Sequence, residues 1–254
     1  MRIAAEPAAG ETDGMNRQTQ GIRLIVWGGA AAAFLIWRPE HDGILRYGMV
    51  AAAAVMWAGL LVICWRPWPR RAAPLALLPI AAIPFLLPAK ELDRDALRKS
   101  YVAGMRGFEG CSYVWGGESA RGIDCSGLPR RALRDALRIQ ALHGNGTAAR
   151  LWLEQWWFDT SARALKAGYR DFTRPTGVEG WLQELDFESI EAGDLAVTDD
   201  GRHVLIYLGE GEWTQADPGP GRVLTARPHR DDNPWFASRV SIHRWMILDP
   251  PVSL

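Results

Sequence analysis

The chain has 254 residues, enough for one large domain or two small ones. Its 29 basic and 29 acidic side chains cancel to a formal net charge of zero, and no basic stripe interleaved with aromatics speaks for a nucleic-acid partner. Three cysteines (Cys64, Cys111 and Cys125) are too few for a disulfide framework and do not report the redox compartment.

Residues 1–20 are polar and small, lack periodicity, and are expected to be disordered. Residues 21–89 read as a membrane region of two to three transmembrane helices. Leu24–Trp37 is a run of 14 uncharged residues, Tyr47–Trp65 of 19 and Pro74–Ala89 of 16. At ~1.5 Å of rise per residue the second run spans roughly 28 Å, close to a hydrocarbon core of about 30 Å. The first reaches about 21 Å, and Arg23 and Arg38 lengthen it by snorkelling. The third contains Pro79 and Pro84, each of which removes a helical hydrogen bond. It either crosses, as a bilayer permits when neighbours re-satisfy the backbone, or packs as a re-entrant or interfacial segment. Gly28 to Ala33 and Ala51 to Ala54 are small enough to let the first two helices approach closely. Trp37-Arg-Pro-Glu follows the first run where a signal peptide would place a small-residue cleavage site.

Basic residues set the expected orientation. Arg66, Arg70 and Arg71 crowd the loop after the second run, against Arg38 and Arg46 before it, and Arg17 and Arg23 precede the first. This places the N-terminus and the second loop on the cytoplasmic side of an inner membrane. If all three runs cross, everything from Lys90 onward is periplasmic or extracellular.

Residues 90–254 have the composition of a soluble domain. Leu97, Tyr101, Met105 and Phe108 recur at helical spacing, so a helix should bury that face and end near Gly110. Tyr113-Val-Trp-Gly-Gly117 then opens a glycine-rich turn, and Asp124 caps a second apolar-periodic run of Leu128, Ala132, Leu133, Ala136 and Leu137. The helix should begin at or just after Asp124, which puts Cys125 in its first turn. Unpaired backbone N–H groups and the helix dipole favour thiolate there. Taken alone, such a cysteine is more often a small buried hydrophobe.

The stretch from Gln140 to Phe158 carries Leu151, Trp152, Leu153, Trp156 and Trp157 on one helix after a cap at Thr147. Core packing is the default for it, with a cleft wall or a membrane-resting face as alternatives. Short strands follow at Asp194–Thr198, His203–Leu208, Glu212–Ala216, Arg222–Ala226 and Arg239–Ile247, separated by glycine and proline clusters. Helices first and an antiparallel meander after make the domain α+β. Among the other histidines, His143 and His229 read as solvated turn residues, and His243 in the last strand is the rival base to His203. No Cys or His pair has ligand spacing, so neither a metal nor another cofactor is expected.

A cysteine at a helix start, a histidine at a strand start and a polar residue on the partner strand is the layout of a papain-like thiol hydrolase. The Tyr113–Leu128 block, Gly193-Asp194-Leu195 and the spacing from His203 to Gln215 resemble the NlpC-type cell-wall cysteine peptidases, over roughly Leu92 to Ile247. Pro129, a Gln in place of the commoner third histidine, and about twenty inserted residues near Gln140 to Phe158 depart from the family pattern. The resemblance implies Cys125, His203 and Gln215 as a catalytic triad, with Tyr113, Asp124 and Ser126 bordering the substrate. It implies cleavage of peptidoglycan stem peptides at a γ-D-glutamyl–diamino acid bond, with the lipid bilayer as the other partner; protein partners are not indicated. A thiol amidase, transamidase or acyltransferase on another substrate, and an inactive wall-binding module, remain open. If the hairpin turns about Gly209, His203 faces Gln215; if about Glu210, it faces Asp217. The family spacing favours Gln215, accepting from Nδ1–H and turning Nε2 toward Cys125.

Overall fold

A computed structural model of the chain describes residues 9–65 and 68–249. The chain divides into two compact units. The first holds residues up to Arg38 and Gly43–Pro84, and the second Pro39–Asp42 together with Phe85–Leu254.

In the first unit, helices α1 (Ala9–Trp37), α2 (Gly43–Cys64) and α3 (Trp68–Leu86) correspond to the three apolar runs. Helix α1 begins at Ala9, inside the segment expected to be disordered; residues 1–8 lie outside the described residues, as does Arg66 of the basic loop. Among the described residues, Met15–Trp37 and Gly43–Cys64 are long and apolar enough to cross a membrane. The two small-residue tracts meet at Gly28, where an added Cβ would stand 3.1 Å from the Ala52 carbonyl oxygen, and a glycine pair outside them is closer still. A Cβ added at Gly59 would stand 2.8 Å from the Gly21 carbonyl oxygen, so α1 and α2 touch through glycine backbone.

The second unit opens with α4 (Arg94–Arg106), capped by the Asp93 carboxylate, which accepts from Ala96 N–H. Its Leu97, Tyr101 and Met105 are fully buried, on the face the periodicity predicts. A two-stranded hairpin, β1 (Glu118–Ser119) and β2 (Gly122–Ile123), leads into α5 (Gly127–Leu142), followed by α6 (Gly146–Trp157) and the short α7 (Ala162–Lys166). Six strands then form one antiparallel sheet: β3 (Thr173–Trp181), β4 (Leu195–Thr198), β5 (Val204–Gly209), β6 (Glu212–Asp217), β7 (Arg222–Ala226) and β8 (Arg239–Trp245). Their spatial order is β3-β8-β4-β5-β6-β7. The expected strands are all present. Strand β3 adds to the expected strands, and its Pro175, Gly177 and Gly180 are residue types that favour turns. As an edge strand with an irregularity between Pro175 and Glu179, it tolerates all three.

Alternation along the strands covers both faces of the sheet. Val204, Ile206 and Ala216 pack with Leu128, Leu133 and Leu137 of α5, while Leu205, Tyr207 and Trp213 join Phe236 and Ile242 in a second cluster. Strand β5 thus carries apolar residues on both sides and ends, at its N-terminal mouth, on His203.

The β5–β6 hairpin corrects one expectation. Ile206 pairs with Thr214 and Tyr207 with Trp213, and a bulge at Leu208 brings Gly209 opposite Glu212. Extending that register sets position 203 opposite Asp217, not Gln215. The turn closes through Gly209, Glu210 and Gly211, all at positive φ.

Candidate active site

Helix α5 is assigned from Gly127, yet its first i→i+4 bond runs from Leu128 N–H to the Asp124 carbonyl, so Cys125 lies in the turn that starts it. Asp124 builds that turn. Its Oδ1 accepts from the backbone N–H of Ser126 (3.0 Å) and Gly127 (2.6 Å) and from the Ser126 hydroxyl (3.0 Å), while Oδ2 accepts from Gly116 N–H (2.8 Å). One carboxylate therefore ties the glycine-rich turn to the helix start. The approach is close: a Cβ on Gly127 would stand 2.2 Å from the Gly117 carbonyl oxygen. Pro129 falls in the first helical turn, where its missing N–H forgoes only the bond to the Cys125 carbonyl, next to the helix start.

Cys125 is 5% exposed and opens on a cavity of about 470 Å³ whose walls include Trp115, Gly116, Gly117, Arg130, Arg163 and Arg202. Asp124 and Ser126 line the same cavity; Tyr113, His203 and Gln215 do not. The Cys125 sulfur lies 3.8 Å from the Arg202 carbonyl oxygen, and the Val204 N–H points at it from the other side. These are the two chain neighbours of His203, so the backbone at the mouth of β5 lies against the thiol on both sides of the histidine in sequence.

His203 is 1% exposed, and its Nε2 stands 2.5 Å from Gln215 Oε1. An amide oxygen only accepts, so Nε2 carries the proton and Nδ1 holds the free lone pair. This reverses the orientation expected from the sequence, in which Nδ1–H faced Gln215. The contact is also a diagonal one across the ladder, two residues from the register partner. Asp217, that register partner, is turned instead to Trp235 and Asn233. Its Oδ1 accepts from the Trp235 indole N–H (3.2 Å) and Gly219 N–H, and its Oδ2 accepts from Asn233 Nδ2 (3.0 Å). Trp235 lies stacked on the imidazole. Nothing local in Asn233-Pro-Trp-Phe236 announces this, because the contact joins positions 32 residues apart in a fold the sequence does not spell out.

The electrostatics correct a further expectation. Burial, and secondarily the Asp124 carboxylate, push the Cys125 thiol up to about 12; the N–H groups of Val204, Ser126 and Cys125 pull it back less. Desolvation therefore outweighs the helix start, and the thiol is protonated at rest. Burial pulls His203 down to about 4, against the opposing Gln215 hydrogen bond and the Asp217 charge. Tyr113, half-buried, is pushed up to about 12 by desolvation and then by Cys125 and Asp124, so it is a neutral phenol beside the thiol. Cys111 is a free thiol with Sγ 3.4 Å from the Ala120 carbonyl. His243 bonds Ser241 in β8, and His143 and His229 bond the carbonyls of Ile139 and Gln183.

The cavity wall includes a buried charge cluster that the sequence did not reveal. Glu118, 3% exposed, has its carboxylate oxygens 3.0 Å from Arg130 and 2.7 Å from Arg134, close enough to pair in charge though without aligned N–H···O geometry. Arg130 also holds Asp159 at 2.5 Å.

An α+β domain with a cysteine at a helix start, set against the backbone on either side of a histidine at the mouth of an antiparallel sheet, has the layout of a papain-like thiol hydrolase. Residues 110–235 match the model of the NlpC/P60 family, and the chain carries a domain of that family, a cysteine-type hydrolase of the cell-wall class. Among solved structures, the peptidoglycan hydrolase RipB from Mycobacterium tuberculosis is similar at 21% identity and a TM-score of 0.37, over 64% of this chain and 70% of that one. The P60 domain of an antigen from M. avium subspecies paratuberculosis is similar at 21% identity and a TM-score of 0.37, over 63% of this chain and 100% of that one. No curated protein matches the chain in sequence.

Proposed function

We propose that the chain is a membrane-anchored cysteine hydrolase that cleaves amide bonds in peptidoglycan stem peptides through Cys125, His203 and Gln215. The observation that carries this is the Cys125 sulfur, at the wall of a substrate-sized cavity and flanked by the backbone on both sides of His203.

The resting pair is thiol and neutral imidazole, so the reaction starts with proton transfer. His203 Nδ1 takes the Cys125 proton as the sulfur attacks the amide carbonyl, forming the C–S bond. The Cys125 backbone N–H donates to the developing oxyanion, and the neutral Tyr113 phenol is a second donor at the site's edge. The imidazolium then protonates the leaving amine as the C–N bond breaks. Water, deprotonated by the same Nδ1, hydrolyses the thioester and restores the thiol. Gln215 holds the ring throughout by accepting from Nε2–H. Asp124 and Ser126 border the pocket for the stem peptide, and the family resemblance points to the γ-D-glutamyl–diamino acid bond.

The anchor consists of α1 and α2 in an inner membrane, and with α3 crossing as well the hydrolase domain lies in the periplasm or outside the cell. The clustered Arg70 and Arg71 after α2, and Arg17 and Arg23 in α1, support that orientation. The test is the full chain in lipid vesicles incubated with purified muropeptides and read by mass spectrometry. New amines at the diamino acid are expected. Transfer products would point to a transamidase, and unchanged muropeptides that co-sediment would overturn hydrolysis in favour of binding.

A further inference from the structure

Four residues between α1 and α2 belong to the hydrolase unit. The Glu118 N–H donates to the Pro39 carbonyl at 2.9 Å, and the His41 N–H to the Gly116 carbonyl at 2.8 Å. Together they form an antiparallel bridge between Glu40 and Gly117. The side chain of His41 extends the attachment. Its Nε2 lies 3.2 Å from the Trp156 carbonyl, 3.4 Å from Arg134 and 3.7 Å from Glu118, and its ring packs on the Trp156 indole. Gly116, Gly117 and Glu118 are the same residues that wall the Cys125 cavity.

We propose that Pro39–Asp42 is a strap that completes this wall, and that it keeps the hydrolase domain on the same side of the bilayer as the α1–α2 connection, with α3 as an obligatory third crossing. The inference rests on α1 and α2 spanning the membrane, and it deepens the reading of the anchor given above. Parity carries it. The chain enters the strap from α1 and leaves through α2, which takes it to the opposite face. The domain that holds the strap begins after α3, so one more crossing must bring the chain back.

Helix α3 is built for that crossing. After Arg70 and Arg71, its 15 uncharged residues from Ala72 to Leu86 reach about 22 Å at ~1.5 Å each, and the two arginines lengthen that toward a hydrocarbon core by snorkelling. Leu75, Leu78, Ile80, Ile83 and Phe85 are all at least 46% exposed, so the protein itself does not cover them. Pro74, Pro79 and Pro84 would break a helix in water but are tolerated in a bilayer. The occupant that fits this surface is lipid. Backbone hydrogen bonds thereby put the domain and the α1–α2 connection on one side of the membrane, and the arginines say which side that is.

Sidedness is tested on the full chain in sealed membranes, with Cys64, Cys111 and Cys125 changed to Ser. Single cysteines are introduced by Gln18→Cys, Asp42→Cys, Arg70→Cys and Glu188→Cys and treated with a membrane-impermeant thiol reagent. Asp42→Cys and Glu188→Cys are expected to label from one face, and Gln18→Cys and Arg70→Cys only from the other. Labelling of positions 42 and 188 from opposite faces, or of all four from one face, overturns the proposal. Seating is read separately by amide hydrogen exchange. Pro39→Gly, Glu40→Ser, His41→Gly and Asp42→Ser together should speed exchange at Glu118 about tenfold, the scale of local opening, while α5 amides stay slow. Unchanged exchange at Glu118 would remove the strap. Neither readout needs turnover, so a failure of the hydrolase reading remains distinguishable.

Discussion

The indole of Trp235 lies flat on the imidazole of His203, with ring centroids 3.9 Å apart and planes 14° from parallel. Asp217 holds the indole N–H at 3.2 Å, so the residue opposite His203 in the ladder acts on it through a tryptophan. Two effects of the indole oppose each other. Its face attracts an imidazolium by about 0.5–2 kcal/mol, while its bulk keeps the ring dry, and desolvation is the largest cause of a pKa drop from 6.5 to about 4. That drop is worth roughly 3 kcal/mol at 1.36 per unit, so desolvation wins. Trp235→Leu should therefore move the acid limb of kcat/KM upward from near pH 4 by about one unit or more, and Trp235→Phe should restore most of it. A limb that stays in place, or falls, in Trp235→Leu would show that the stack does not set the histidine's acidity.

The same burial makes stability pH-dependent. Folded His203 titrates near 4 and the unfolded chain near 6.5. Between those values the unfolded chain binds a proton the native state refuses, so the contribution is intact above pH 6.5 and is lost as pH falls toward 4. Urea midpoints measured from pH 7 to 4 should decline, and His203→Asn should flatten that part of the decline. An equal slope in the variant would place the lost stability on other groups.

Gly127 tests the close approach that shapes the cavity wall. A methyl there meets the Gly117 carbonyl oxygen at 2.2 Å, and that atom is backbone, which cannot swing aside. Gly127→Ala should cost about 1–3 kcal/mol through overpacking, visible as a lower melting temperature, and should raise KM by displacing the Gly116–Glu118 wall. Ordinary melting and an ordinary KM would mean that the turn relaxes freely.

What the sequence made legible was local. Asp124 as a cap, Cys125 at a helix start, the alternation of β5 and the face of α4 all follow from neighbours within a few positions. Edge strand β3 was hidden because its proline and glycines are turn signals everywhere except at a sheet edge. The register of His203 was misjudged by a single bulge at Leu208, which no residue type marks. The pull of the helix start on Cys125 can be read from sequence, whereas the burial that pushes its thiol up cannot. Trp235, the Glu118 cluster and the Pro39–Asp42 strap are long-range contacts, out of reach of any periodicity argument.

The tryptophans of α6 take an intermediate position between the alternatives. The buried residues of α6 are Gly146, Ala148, Ala149 and Gln155, while Trp152 is half-buried against the core and Trp156 packs on His41 and Trp157. A fully buried tryptophan would cost 3–5 kcal/mol on truncation, so a half-buried one should cost about 2. Trp156→Ala should lower the melting temperature modestly and free the His41 ring. A loss of the full core magnitude would mean that α6 is buried more deeply than its exposure indicates.

The division of labour around the histidine is open to a direct comparison. Gln215 touches the ring, and Asp217 touches the tryptophan that covers it. Cys125→Ala and His203→Ala should each abolish turnover with the fold intact, as loss of nucleophile and base requires. Gln215→Ala removes the one hydrogen bond that fixes the imidazole's tautomer. It should slow turnover by about ten- to a hundredfold, the 1.5–3 kcal/mol of a hydrogen bond to a group that becomes charged. Asp217→Asn keeps a side chain of the same shape and one acceptor oxygen, so its effect should be smaller and should appear mainly in the acid limb that Trp235 governs. Because Gln215 is neutral, it orients the imidazolium without cancelling its charge, and Gln215→Glu should raise the acid limb while leaving Nε2 engaged. If Asp217→Asn cripples the enzyme while Gln215→Ala leaves turnover untouched, the ladder register, not the diagonal contact, identifies the orienting residue.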